Sequence, residues 1–333
     1  MVNYKQILAD LSSIAYHHEQ INSFGFGDIT QITMDNKTKQ EPRYVRMYVT
    51  IGDVVLNQNT VTYNFNIIIC DQLNNDYSNQ ADVISDTMEI AKDVWTVLYQ
   101  SYTQQYGDFS VDYQPRWNAT IEPFLERFET VLAGNTLSIT IDQDFDYNNC
   151  VLPVVSGFTL PVDVNLVNYK QIIEDMRDIA DSHLQVNSFG FGDITQITMD
   201  IETKVEPKYL KMYCIPSTVT IEQNQLSINL SIIVLDQINN DYSNQQDVLN
   251  DCLEVCKDIF TILYLSEYET EWGAVCSPFI ERFETVLGGF TLNVTLTQPF
   301  DYNRCVLPIT PFNYPWEDIA QLWEQIGIDW ENL

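Results

Sequence analysis

Phe24-Gly25-Phe26-Gly27-Asp28-Ile29-Thr30-Gln31-Ile32-Thr33-Met34-Asp35 returns without a change as Phe189 to Asp200, and this recurrence governs how the rest of the chain is read. The spacing is 165 residues, and it holds on both sides of the stretch: Val2 to Ile7 returns as Val167 to Ile172, and Asn74 to Gln80 as Asn239 to Gln245. Beyond Tyr99 and Tyr264 the spacing falls to 155, with Glu126 to Leu132 matching Glu281 to Leu287. The shortening falls between Ser101 and Trp117, a polar Tyr/Gln/Asp run that reads as a surface loop, where length changes cost little. Solenoid repeats have periods of about 20–50 residues, so a period this long means two globular units in tandem. The expected boundaries are 1–150 and 165–310 for the two copies, with 151–164 as a semi-rigid linker containing Pro153 and Pro161.

Each copy is read twice, which sharpens the secondary structure. Tyr4, Ile7, Leu11 and Ile14 mark one face of a helix, matched by Tyr169, Ile172, Met176 and Ile179. The two glycines of Phe24-Gly25-Phe26-Gly27-Asp28 then make a tight loop, expected to lead into a strand over Ile29 to Met34. Alternating runs follow at Tyr44 to Thr50 and Thr60 to Ile69. Val61, Tyr63, Phe65, Ile67 and Ile69 share one side of a half-buried antiparallel sheet, as do Leu226, Ile228, Leu230, Ile232 and Val234 in the second copy. Asp71 to Gln80 supplies cap-type residues before a second helix carrying Val83, Ile84, Thr87, Ala91, Val94, Trp95 and Leu98 on one face. Strands around Ile121 to Phe128 and Thr136 to Ile141 close the unit. The expected fold class is α+β: two tandem copies of an antiparallel β-sheet covered on one side by two helices.

Of the 333 residues 45% are hydrophobic and 19% charged, which is a folded globular composition. Single cores stop growing near about 250–300 residues, which agrees with two units. Asp and Glu number 47 against 16 Lys and Arg, a net charge of −31 that excludes a surface built to neutralise phosphates. No secretion signal opens the sequence and no apolar run nears the ~20 residues of a membrane helix, so a soluble protein made in a cytoplasm is expected. Seven cysteines are an odd, sparse set that fits reduced thiols. Cys252 and Cys256 stand four apart, but the first copy has Thr87 and Ala91 there, so they read as small core residues.

The chain offers little chemistry. His18 and His183 are equivalent helix-end residues with no repeated ligands around them. The Gly25/Gly27 loop lacks the Gly-Lys-Ser/Thr of a phosphate loop. Asp71, Asn75 and Asp76, repeated as Asp236, Asn240 and Asp241, lack EF-hand spacing and read as a helix-capping loop. Glu126 and Glu129, with Glu281 and Glu284, fit a strand that alternates charge and aromatic on its two faces better than paired acid–base carboxylates. No catalytic residue, cofactor or metal is assigned, and a non-enzyme is expected. The identity between copies concentrates in loops, helix ends and one strand, and the unchanged loops are the part open to neighbours. That makes Phe24-Gly25-Phe26-Gly27-Asp28, Asn74-Asn75-Asp76-Tyr77, Phe189-Gly190-Phe191-Gly192-Asp193 and Asn239-Asn240-Asp241-Tyr242 candidate contacts with neighbouring subunits. After Pro311 a Pro-rich arm precedes an amphipathic helix, and Trp316, Ile319 and Trp323 of segment 311–333 are candidates for docking on another subunit.

Four stretches resemble a family of tailed-phage proteins of the tail-terminator or tail-completion type, notably in crAss-like and related Bacteroidetes phages. They are Phe24 to Ile29, the Tyr-Asn-Phe-Asn-Ile strand at Tyr63 to Ile67, the Asp-Val-Ile-Ser-Asp helix start at Asp82 to Asp86, and Phe128 through Gly134 to Cys150. The resemblance covers each copy nearly end to end, and the chain departs from it in its duplication and its tail. It implies a non-enzymatic virion protein, made in the bacterial host cytoplasm, that assembles as a ring at the neck or tail. The implied partners are copies of itself, six or twelve chains, and other neck or tail proteins. Viral DNA would be only passing cargo, and no membrane is involved. Six duplicated chains would give a pseudo-twelvefold ring, and acidic walls would let DNA slide past. The alternative is a monomeric or dimeric binding module, an adhesin or sugar binder, using the aromatics around Tyr102, Tyr106, Phe109, Tyr113 and Trp117.

Overall fold

The structure, a computed structural model, describes residues 3–35, 38–103, 111–127, 130–147, 152–159, 169–200, 203–221, 225–266, 268–282 and 285–299. One order of elements is run through twice. The first half holds α1 (Tyr4–His17), β1 (Ser23–Phe26), β2 (Arg46–Leu56), β3 (Thr60–Gln72), α2 (Gln80–Thr103), β4 (Gln114–Pro115), β5 (Thr120–Arg127) and β6 (Val131–Asp144). The second holds α3 (Tyr169–Ser182), β7 (Ser188–Phe191), β8 (Lys211–Ile221), β9 (Gln225–Ile238), α4 (Gln245–Leu265), β10 (Glu269–Thr270), β11 (Ala274–Arg282) and β12 (Val286–Pro299). Among the described residues the fold is mixed α+β, with four α-helices on one large sheet.

Period-two alternation places Val61, Tyr63, Phe65, Ile67 and Ile69 in the core, as expected, together with the equivalent face of β9. These side chains and the apolar stripes of all four helices merge into a single core, so the helices share one face of the sheet. Asn3 starts α1 by accepting a hydrogen bond from the Gln6 N–H, and Tyr4 then stacks on Phe65 with ring centroids 5.6 Å apart. The opposite face is partly covered too. Tyr48, Ile68, Cys70 and Leu132 pack under Ile32, and Tyr213, Ile233, Leu235 and Leu287 under Ile197.

Two expectations need correction. Ile29 to Met34 is no strand: Ile29–Gln31 is a 3₁₀ turn, because Asp28 Oδ1 accepts from both the N–H and the hydroxyl of Thr30 and so holds the chain in a turn. Nor is the sheet purely antiparallel, since β1 runs parallel to β2 and β7 parallel to β8.

The halves do not carry separate sheets. Within each, the order runs β1-β2-β3-β6-β5 or β7-β8-β9-β12-β11, and β11 then pairs with β2, giving one sheet of twelve strands among the described residues. Of the expected linker, residues 152–159 pack on the end of α3, where the Val155 N–H donates to the Ser182 carbonyl and Val154 bridges to His183. The expected docking helix with Trp316, Ile319 and Trp323 lies outside the described residues.

Candidate interaction site

The repeated twelve residues fold over a buried cation. Arg46 opens strand β2 with its guanidinium under the 3₁₀ turn, donating to the carbonyls of Ile32 at 2.7 Å and Met34 at 3.1 Å. Lys211 does the same at Ile197, 3.0 Å, and Met199, 2.8 Å. Each cation also lies over a tyrosine ring, Tyr48 or Tyr213, whose hydroxyl donates to the carbonyl of Asp28 or Asp193. Burial lowers the pKa of both cations, and the carbonyls they bind stand in for lost water. Gly25 sits directly on this stack: a Cβ there would lie 2.0 Å from the Arg46 guanidinium and 2.6 Å from the Tyr48 ring.

The second identical stretch is also closed on itself. Asn79 Oδ1 accepts from the Asn74 N–H, Asp76 Oδ1 from the Ser78 N–H, and Tyr77 adopts a φ of 58°. Asn244, Asn239, Asp241, Ser243 and Tyr242 repeat the arrangement. Asn244 flanks α4 but makes no side-chain cap, because its amide oxygen is spent on the loop. The Ser78 hydroxyl holds the Asp76 carboxyl below its usual range, and Ser243 does so for Asp241 with a weaker pull from Lys39 of the first half. Internal hydrogen bonding therefore accounts for much of the identity that marked these loops as candidate contacts.

What the structure brings together is the joint between the halves. Ala274, Val275 and Cys276 of β11 pair with Leu56, Val55 and Val54 of β2, past a bulge between Ile51 and Val54. Gly27, Asp28 and Phe26 face Gln245 and Leu249 of α4 across a cleft of about 200 Å³. Gly27 has a φ of 138°, and a Cβ there would lie 2.5 Å from the Gln245 amide, which is buried with neither polar atom bonded. Lys5 of α1 pairs with Asp247 of α4. At the far end Tyr147 inserts among Phe260, Tyr264 and Trp272, with centroids 5.4–5.9 Å away, and Lys257 lies over Phe145. Burial would discharge Lys257, but Tyr63 and the Glu254 carboxylate more than offset it and raise its pKa.

The predicted contact residues thus divide. Phe26, Gly27 and Asp28, with Asp241, lie at this internal joint, and Tyr242 packs on the shared core. Their counterparts, Phe191, Gly192 and Asp193, and Asn74, Asn75, Asp76 and Tyr77, lie at the two ends that the joint leaves over. A Cβ on Gly192 would meet nothing closer than 3.6 Å. Phe24 and Phe189 pack on the core, and Gly190, like Gly25, lies on a tyrosine ring, so these are scaffold. The sequence signal passed over was the cation at one repeated position inside an apolar strand, Arg46-Met47-Tyr48 and Lys211-Met212-Tyr213.

Reactive chemistry is sparse. His183 Nε2 lies 3.3 Å from Asp258 and His18 Nε2 3.6 Å from Asp93, and these pairs tie α3 to α4 and α1 to α2. The five described cysteines are buried free thiols, with Cys70 and Cys214 pushed up to about 12 by burial. Among the described residues no three His, Cys, Asp or Glu side chains cluster as a metal site, and no helix is long and apolar enough to cross a membrane. Of the aromatics considered for sugar binding, Tyr113 is buried and Trp117 is 74% exposed, while Tyr106 and Phe109 lie outside the described residues. Compared with known protein families, characterised proteins and solved structures, the chain matches none of them.

Proposed function

We propose that the chain is a structural subunit of a tailed-phage virion, a duplicated unit of the tail-terminator type, that assembles with copies of itself into a ring at the neck or tail. The observation that carries the assembly is the asymmetric joint. The first half receives the second through β2, α1 and the Gly27 turn, and the second enters through β11, α4 and the Asp241 loop. Each half carries both faces in sequence, so one receiving face and one entering face remain at opposite ends of the chain. Contacts of that kind are head to tail, and they close into rings or run on as filaments. The assignment to a virion rests on the resemblance of the Phe24 to Ile29 motif and its companions. The net charge of −31 suits a wall past which DNA must slide without sticking.

Electron microscopy and native mass spectrometry of the purified full chain test the assembly, and labelling of virions tests the place. Closed rings of six or twelve chains are expected. A chain that stays monomeric at tens of micromolar, or that is missing from virions, removes the reading. One observation favours the alternative binding module: Trp95, Tyr99 and Trp117 form an aromatic group with centroids 4.5–6.5 Å apart, and Trp117 is largely bare. Saccharide binding by a monomer would decide for it.

A further inference from the structure

The internal joint is a complete template for a contact between chains. Strand β2 uses its outer edge twice, parallel to β1 over Arg46–Val49 and antiparallel to β11 over Val54–Leu56. Strand β8 repeats the parallel part with β7 and repeats the bulge, between Pro216 and Val219, but among the described residues nothing pairs with its outer edge after the bulge. Val219 is 48% exposed, whereas its counterpart Val54 is fully buried. At the other end β5, the counterpart of β11, pairs only with β6 among the described residues.

The residues around β5 have the character of a covered face. Met88 is 36% exposed where Leu253, its counterpart, is fully buried. Lys92 and Glu89 form an exposed ion pair where Lys257 and Glu254 form a buried one. Trp95, Tyr99 and Trp117 repeat the Phe260, Tyr264 and Trp272 group, with no tyrosine inserted among the described residues. Charge agrees as well. Lys5 meets Asp247 within the chain, and their counterparts Lys170 and Asp82 are both exposed at opposite ends.

We propose that chains join by adding β5 of one chain to the free end of β8 of the next, in the register of the internal β11–β2 pair. Thr120 then faces Thr220 of the next chain, Ala119 faces Ile221 and Ile121 faces Val219, with Asp82 meeting Lys170 beside the strands. Main-chain hydrogen bonds supply the attraction and the apolar flanks the selectivity, as in other strand additions. β-Branched residues at Val219, Thr220, Thr120 and Ile121 suit a strand pair. This contact rests on the reading of the chain as a self-assembling subunit and gives that reading its surface.

The test mixes full-length Thr120→Cys with full-length Thr220→Cys under mild oxidation. A disulfide-linked dimer is expected in the mixture and in neither variant alone, and replacing Thr220→Cys by Thr218→Cys should cut the yield at least about tenfold, because the Cα atoms must come within about 7 Å. In a second arm, Val219→Asp should raise the dissociation constant at least about tenfold with an unchanged thermal melt, the residue being exposed in the single chain. Assembled chains that give no Thr120–Thr220 product and ignore Val219→Asp would overturn this register and leave the ring standing. A chain that never assembles overturns both.

Discussion

Arg46 and Lys211 show what a single buried charge does in this fold. A buried cation at the start of a sheet strand is costly unless it is bonded, and here two main-chain carbonyls and a tyrosine face replace much of its water, with the Arg46 Nε left without a hydrogen bond. The same role is filled by a guanidinium in one half and an ammonium in the other, so charge and reach matter more than a planar fork. Arg46→Lys should therefore change stability by less than about 1 kcal/mol. Arg46→Met keeps the length but strands the carbonyls of Ile32 and Met34, and should cost about 1–3 kcal/mol. Urea unfolding with an unchanged slope would measure both; equal loss in the two variants would contradict the role given to the carbonyls. Gly25→Ala should be as harmful as Arg46→Met, because its new methyl group enters the space held by Arg46 and Tyr48.

At the scale of elements, a second repeated device ties α1 and α3 to the short strands. Tyr113, just before β4, donates to Asp10 at 3.1 Å, and Tyr268, just before β10, donates to Asp175 at 2.5 Å. Burial, and then the neighbouring carboxylate, raise both phenols above the ordinary value of 10.0. A phenol whose pKa is raised on folding binds its proton more tightly in the native state. Stability is then intact below pH 10 and is lost as pH climbs past it, when the unfolded chain ionises first. Tyr4, Tyr48 and Tyr63 shift the same way, so alkaline unfolding should be cooperative, with tyrosinate absorbance rising in step with loss of circular dichroism. Ionisation of most tyrosines before any unfolding would contradict their burial. Alternation made β3 and β9 legible in the sequence, and the helix stripes were legible for the same reason, since burial there follows a local period. The Ile29 turn was not, because its β-branched Ile29, Thr30, Ile32 and Thr33 suit a strand and only the Asp28–Thr30 hydrogen bonds decide otherwise. The joint was illegible too. Val54 and Val219 are the same residue at the same repeated position, and tertiary pairing covers one and bares the other.

The molecule as a whole carries a net charge of −31, and any assembly of identical chains must bring such charges together. Long-range repulsion of this kind acts over the Debye length, roughly 30 Å at 0.01 M salt and about 8 Å at 0.15 M. The proposed contact itself depends little on charge, since strand pairing and apolar burial dominate it and one exposed Lys170–Asp82 pair contributes at most about 1 kcal/mol. Screening therefore removes more repulsion than attraction, and assembly should strengthen as salt rises between those two concentrations. A protein that grips DNA phosphates does the reverse, its binding falling steeply with salt as counterions are no longer released to advantage. Sedimentation velocity across that salt range, with duplex DNA present in parallel cells, reads both behaviours at once. The expected outcome is a growing assembled fraction together with DNA that sediments unbound at every salt concentration. Assembly that weakens with salt would mean that ion pairs hold the chains together, and DNA carried along at low salt would mean that the few basic residues are gathered on one face, against the sliding role inferred from the acidity.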